Sequence, residues 1–163
     1  MTCKKYLYML EFCGIIVSVF FYRSKGEQMK ELIVEAKKEN LDRVIGFVDE
    51  ILEAYNCPIK TQMQVDVAVE EVFVNISSYA YETDNGKATI RADVSEDPLS
   101  VVLTFLDNGV PFDPLKKEDP DITLSINERP IGGLGIFMVK KSMDDVHYEY
   151  KDGQNILTIR KEL

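Results

Sequence analysis

Glu71 and Asn75 stand four residues apart in a stretch, residues 61–80, whose apolar positions recur at helical spacing. One helical turn there stacks a carboxylate on a carboxamide. With Val72 at zero on a wheel of about 100° per residue, Val65, Ala68, Val69, Ile76 and Tyr79 share one stripe. Glu71 and Asn75 border that stripe, while Asp66, Glu70 and Ser77 lie on the far side. A carboxylate so placed can take a proton, and a carboxamide oxygen can join a Mg²⁺ shell completed by phosphates and water. The plain alternative is a polar border to a helix–sheet seam, bonded to nearby backbone. A phosphate site elsewhere in the chain would favour the chemical reading.

Two glycine-containing segments supply candidates. Asp107-Asn108-Gly109 follows directly on LSVVLTFL, so a strand delivers Asp107 at the mouth of a sheet. The same tripeptide is also an ordinary turn signal. Gly132-Gly133-Leu134-Gly135 runs straight into IFMVKKSM. Bare backbone N–H groups leading into a helix N-terminus make an anion site, because the donors are unpaired and the dipole end is positive. The spacing is neither GxGxxG nor a P-loop, so no Rossmann or Walker reading follows.

The elements that must position these groups are legible in outline. Residues 30–36 (KELIVEA) read as a strand, and Asn40 as the N-cap of a helix that Pro58 stops. A second helix covers residues 61–80, and Asp84-Asn85-Gly86 signals a turn. Residues 88–94 and 99–106 are strands joined through Glu96-Asp97-Pro98. Residues 110–130 carry Pro111, Pro114, Pro120 and Pro130 with weak periodicity and read as a mobile loop. A third helix follows the glycines, and residues 146–151 and 155–160 close as a hairpin. The order predicts an α/β two-layer sandwich, with a mixed, mostly antiparallel sheet and three helices on one face.

Composition narrows the classes. The chain of 163 residues is 45% apolar, enough for one full core, and its net charge of −9 argues against binding nucleic acid through phosphate attraction. Cys57 is the single cysteine after residue 28 and His147 the single histidine, so neither a disulfide in the body nor a Cys/His zinc site is available. A cytoplasmic acidic domain is expected. Residues 1–28 differ, with four basic residues against two acidic ones and an apolar run over residues 6–22. Three readings of this leader stand open. It is untranslated sequence read in frame, since Lys25-Gly26-Glu27-Gln28-Met29 back-translates to a ribosome-binding pattern before a start codon. Otherwise it is a membrane anchor, at the short limit of spanning length and with Glu11 inside it, or a signal peptide. The body is then residues 29–163.

Taken together, E-x-x-x-N on a helix, D-x-G after a strand and G-x-G opening a helix resemble the pocket motifs of the GHKL (histidine kinase-like, Bergerat-fold) ATPases. The likeness is nearer to the bacterial anti-sigma factor serine kinases: Asp107-Asn108-Gly109-Val110-Pro111-Phe112-Asp113 matches their D-x-G-x-x-F-D, and Gly132 to Met143-Asp144 matches their GGLG helix ending in Met-Asp. The resemblance spans residues 30–163 and implies ATP and Mg²⁺ as ligands. It implies that Asp107 accepts a hydrogen bond from the adenine amino group and that Gly109 lets the chain turn beside the base. Asn75 would hold Mg²⁺, and Gly133, Leu134 and Gly135 would offer N–H groups to the phosphates, with Gly132 as hinge. Glu71 would be the general base toward a substrate serine. Arg129 is the candidate phosphate sensor, although Pro130-Ile131 separate it from the glycines. Two departures stand out: Ser78 and Tyr79 where many members carry histidine, and Pro111 where the first glycine box usually has its second glycine.

The family's partners are a sigma factor and a small STAS-fold antagonist, with homodimerisation through an apolar edge of the first helix. Nucleic acid is not expected as a partner, nor a membrane unless residues 6–22 are an anchor. Against the kinase reading stand a nucleotide-binding switch module without phosphoryl transfer, the catalytic half of a sensor histidine kinase, and an α/β domain with no ligand.

Overall fold

The computed structural model describes residues 5–12, 15–22, 29–81, 86–116, 120 and 134–163. Strands β1 (Lys5–Phe12) and β2 (Ile15–Tyr22) pair antiparallel as a two-stranded sheet of their own. Among the described residues no helix is long and apolar enough to cross a membrane.

The main sheet has five strands in the order β3-β4-β5-β7-β6. These are β3 (Lys30–Glu35), β4 (Lys87–Glu96), β5 (Leu99–Asp107), β6 (Asp145–Lys151) and β7 (Gln154–Glu162). Every pairing is antiparallel, so the parallel component expected of a mixed sheet is absent from the described strands. Hairpins join β4 to β5 and β6 to β7 because Asp97-Pro98 and Asp152-Gly153 are turn pairs at the register ends.

Alternation along β4 buries Ala88, Ile90, Ala92 and Val94 on one face. The register extends that face across the sheet in rungs: Ile90 lies opposite Phe105, which lies opposite Leu157, and Ala92 opposite Leu103 and then Ile159. Helices α1 (Leu41–Ala54), α2 (Ile59–Asn75) and α3 (Leu134–Ser142) complete the core on this side, with α2 packed against both α1 and α3. The other face carries Thr104 against Thr158 and the Arg91–Glu31 ion pair. Burying one face and wetting the other is what a period-two pattern requires.

Three local details differ from expectation. A 3₁₀ turn, Lys38–Asn40, precedes α1, and Asn40 donates its side-chain amide to Glu35 O (2.9 Å) instead of capping the helix. The second helix starts at Ile59 and ends as a π-helical turn over Ile76–Ala80. That wider turn shifts the helical phase, so Tyr79, expected on the buried stripe, stands 75% exposed. Asp66, expected to face water, is half-buried against α1 beside Asp49.

Candidate functional site

The buried rungs end, beyond Phe105 and Leu157, in two polar residues. Asp107 on β5 faces Asn155 on β7, and both are nearly inaccessible. Burial of this pair is tolerable only because it is hydrogen-bonded. Asn155 Nδ2 donates to Asp107 Oδ1 (2.8 Å), and the Gly109 N–H donates to the same oxygen (2.8 Å). Burial raises the Asp107 pKa, and those two donors oppose that rise without cancelling it.

The turn after Asp107 is docked on both sides. Tyr81, just past the π turn, receives the Asn108 N–H on its hydroxyl (3.0 Å) and donates that hydroxyl to Lys87 O (2.6 Å). Val110 N–H bonds to Ala80 O (2.8 Å). A Cβ on Gly109 would collide with that Ala80 carbonyl, so the close approach of two backbones requires glycine there.

Above this floor opens a cleft of about 530 Å³, including its space open to solvent. Val72, Ile76, Phe105 and Leu157 give it apolar walls, Asn75 and Asp107 face it, and Ile136 borders it from α3. At the α3 end, Glu71 lies against the first turn of α3, its carboxylate occupying the place a Cβ of Gly135 would take. Glu71 is half-buried, and its pKa is raised, first by that burial and then by the neighbouring charge of Glu70. Neither Glu71 nor Asn75 makes a side-chain hydrogen bond to another described residue.

The structure therefore gathers Asn75, Asp107 and the start of α3 around one cleft, with Glu71 and Gly135 in contact beside it. Leu134 opens α3 with an exposed side chain. Arg129, Gly132 and Gly133 lie outside the described residues, as does most of the 110–130 loop. His147 is exposed and Cys57 is a free, half-buried thiol. Sequence reasoning missed Asn155 and Tyr148 and gave Tyr81 no role, although Tyr81 ends the aromatic stretch Tyr79-Ala80-Tyr81 just after the helix.

An acceptor at the buried end, apolar walls and a helix N-terminus at the other end suit a nucleotide with its base inward. No cluster of three or more His, Cys, Asp or Glu that could hold a metal occurs among the described residues. A Mg²⁺ here would be one carried by phosphates, with Asn75 Oδ1 as the protein's contribution.

Residues 34–161 match the family described as Histidine kinase-like ATPase domain, and the chain belongs to it. Over 95 residues it is 34% identical to a Serine-protein kinase RsbW of Bacillus cereus and 35% identical to one of Bacillus mycoides. Each match covers 56% of this chain and 58% of the relative, so the chain spans little more than half the length of the curated relatives it matches. Among solved structures it resembles the RsbU and RsbW domains of a Mycobacterium tuberculosis protein, with TM-score 0.58, 16% identity, and 82% of this chain and 32% of that one covered. It also resembles the histidine kinase domain of a blue-light activated histidine kinase from Erythrobacter litoralis, with TM-score 0.50, 17% identity, and 77% and 60% covered. At those identities the solved structures establish the fold.

Proposed function

We propose that residues 29–163 form an ATP-dependent protein serine kinase of the anti-sigma type, acting in the cytoplasm in transcriptional partner switching. Residues 1–28 stand apart from that domain. The observation that carries the reading is the shared cleft: Asn75 from α2 and Asp107 from β5 face one space, beside the Glu71–Gly135 contact at the start of α3.

Asp107 accepts a hydrogen bond from the exocyclic amine of adenine, a bond that the carbonyl of an oxo-purine cannot make. Gly109 keeps the chain close to the base. Backbone N–H groups of Gly133, Leu134 and Gly135 donate to phosphate oxygens, with Gly132 as hinge and Arg129 as the candidate phosphate sensor. Asn75 would supply one oxygen to a Mg²⁺ carried by the phosphates, and that ion would neutralise part of their charge.

Glu71 takes the proton of a substrate serine as its oxygen bonds to the γ-phosphorus and the bond to the β,γ-bridging oxygen breaks, leaving phosphoserine and ADP. A base pKa lifted by burial suits that task, since the proton affinity of the carboxylate rises. The substrate is a STAS-type antagonist, and the same chain, as a homodimer, holds a sigma factor in the alternate state. The large exposed apolar side chains of the first two helices are Ile59, Met63 and Val67, all on α2, so α2 offers the homodimer a larger apolar surface than the first-helix edge does.

The test is transfer of labelled phosphate from ATP to such an antagonist. A wild-type chain that binds ATP yet phosphorylates no antagonist is the switch module instead. Raised thermal stability on adding ATP and Mg²⁺ tests binding separately.

A further inference from the structure

Asn155 is 6% exposed, and every hydrogen-bonding capacity of its amide is used inside the protein. Nδ2 donates to Asp107 Oδ1 (2.8 Å) and to Val110 O (3.1 Å). Oδ1 accepts the Tyr148 hydroxyl (2.7 Å) and the Phe112 N–H (3.2 Å). A backbone N–H can only donate, so the Phe112 contact fixes which end of the amide is oxygen. With two donors and two acceptor sites filled, nothing of this side chain is left for a ligand.

The consequence falls on Asp107. Its Oδ1 is held by two donors, from β7 and from its own turn. Oδ2 takes no hydrogen bond from a described residue, yet it is not among the fully buried unpaired atoms, and Asp107 faces the cleft. One acceptor is therefore offered at one fixed place. Fixing it bears on base choice because an oxo-purine carries a donor of its own, N1–H, next to the carbonyl. A carboxylate free to swing could reach that N1–H and accept either base; a pinned one reaches only the position of the exocyclic amine.

From this arrangement we infer that Asn155, braced by Tyr148, is the positioning residue that gives the cleft its preference for a 6-amino over a 6-oxo purine nucleotide, acting through Asp107. The inference rests on the nucleotide reading above. It assigns a role to a residue 48 positions from Asp107 in sequence, joined to it by strand register alone.

The experiment is titration of the full chain with Mg²⁺–ATP and Mg²⁺–inosine triphosphate, which differ at the 6-position and N1. Wild type binds ATP more tightly, and Asn155→Ala lowers the ATP:inosine triphosphate preference by about tenfold, the scale of a lost hydrogen bond to a charged group. Tyr148→Phe deletes only the brace and lowers it by about threefold. Should Asn155→Ala fail to fold, Tyr148→Phe decides alone. Equal weakening of both nucleotides, with the preference intact in the folded variants, overturns the inference and leaves the nucleotide site standing. A wild-type chain that binds neither nucleotide overturns both.

Discussion

The two ends of the cleft hold their polar groups in different ways. At the buried end Asp107 and Asn155 project from paired central strands; hydrogen bonds from Gly109, Tyr148 and Phe112 lock them, and one from the Asn108 N–H to the Tyr81 hydroxyl locks the adjoining turn. At the α3 end Glu71 and Asn75 project from one edge of a single helix and take no side-chain hydrogen bond from a described residue. Under the proposed function, recognition would sit on a scaffold whose geometry is set before a ligand arrives, and the proposed base, Glu71, on a long side chain held by packing. Preorganised acceptors select a ligand cheaply, whereas a base has to adjust as its proton is transferred.

Glu71→Gln tests that division most severely. Transfer to the antagonist should fall by about 10²- to 10⁴-fold, while ATP affinity, measured by titration, stays close to wild type. Comparable losses in both would make Glu71 part of the binding scaffold and dissolve the contrast.

Gly109→Ala probes the rigid end. The new methyl meets a backbone carbonyl that cannot move without breaking the Val110–Ala80 bond, so stability should drop by about 3 kcal/mol and nucleotide binding with it. A denaturant melt with an unchanged midpoint would show that this end yields easily.

Gly135→Ala is the matching probe at the α3 end. The nearest atoms to its methyl are the tip of the Glu71 side chain, which can swing away, and alanine favours a helix over glycine by up to about 1 kcal/mol. The fold should survive with little change in melting temperature, while transfer slows by about tenfold because the base has been moved. An equal loss of stability in the two glycine variants would erase the difference between the ends.

Asp66→Asn serves as a control at the α1–α2 seam. Burial first, then the Asp49 charge and a hydrogen bond with Asp49, push the Asp66 carboxyl up to about 6. A pKa raised in the folded state means stability that is complete below the unfolded value of 3.8 and is lost as pH rises through about 6. Since the pair is partly solvent-screened, the asparagine variant should be more stable than wild type by about 1 kcal/mol at pH 7.5, with no advantage at pH 3.5. Denaturant curves at the two pH values check this, and ATP affinity should not follow.

The motif residues were legible because each pair is local. Glu71 and Asn75 are one helical turn apart, and Asp107 and Gly109 flank one turn, so spacing alone puts each pair on one element. The five strands of the main sheet were legible from alternation, and only their ends moved, whereas β1 and β2 fall where the sequence read as one continuous apolar run. Tyr79 was misplaced because a π-helical turn changes the phase of the wheel, and five residues of ordinary composition carry no signal for it. Asp66 was misplaced because its partner sits on another helix, where a wheel drawn for one helix has no information.

What the sequence determined by itself was the inventory of the body: its five sheet strands and three helices, and which carboxylate, carboxamide and glycines each delivers. These follow from forces acting within a few residues, namely side-chain periodicity and turn chemistry. The tertiary structure alone decided that Asn155 lies opposite Asp107, that Tyr148 braces it, and that Glu71 rests on Gly135. Strand register and helix packing bring together residues dozens of positions apart, and both are set by burying the whole core at once.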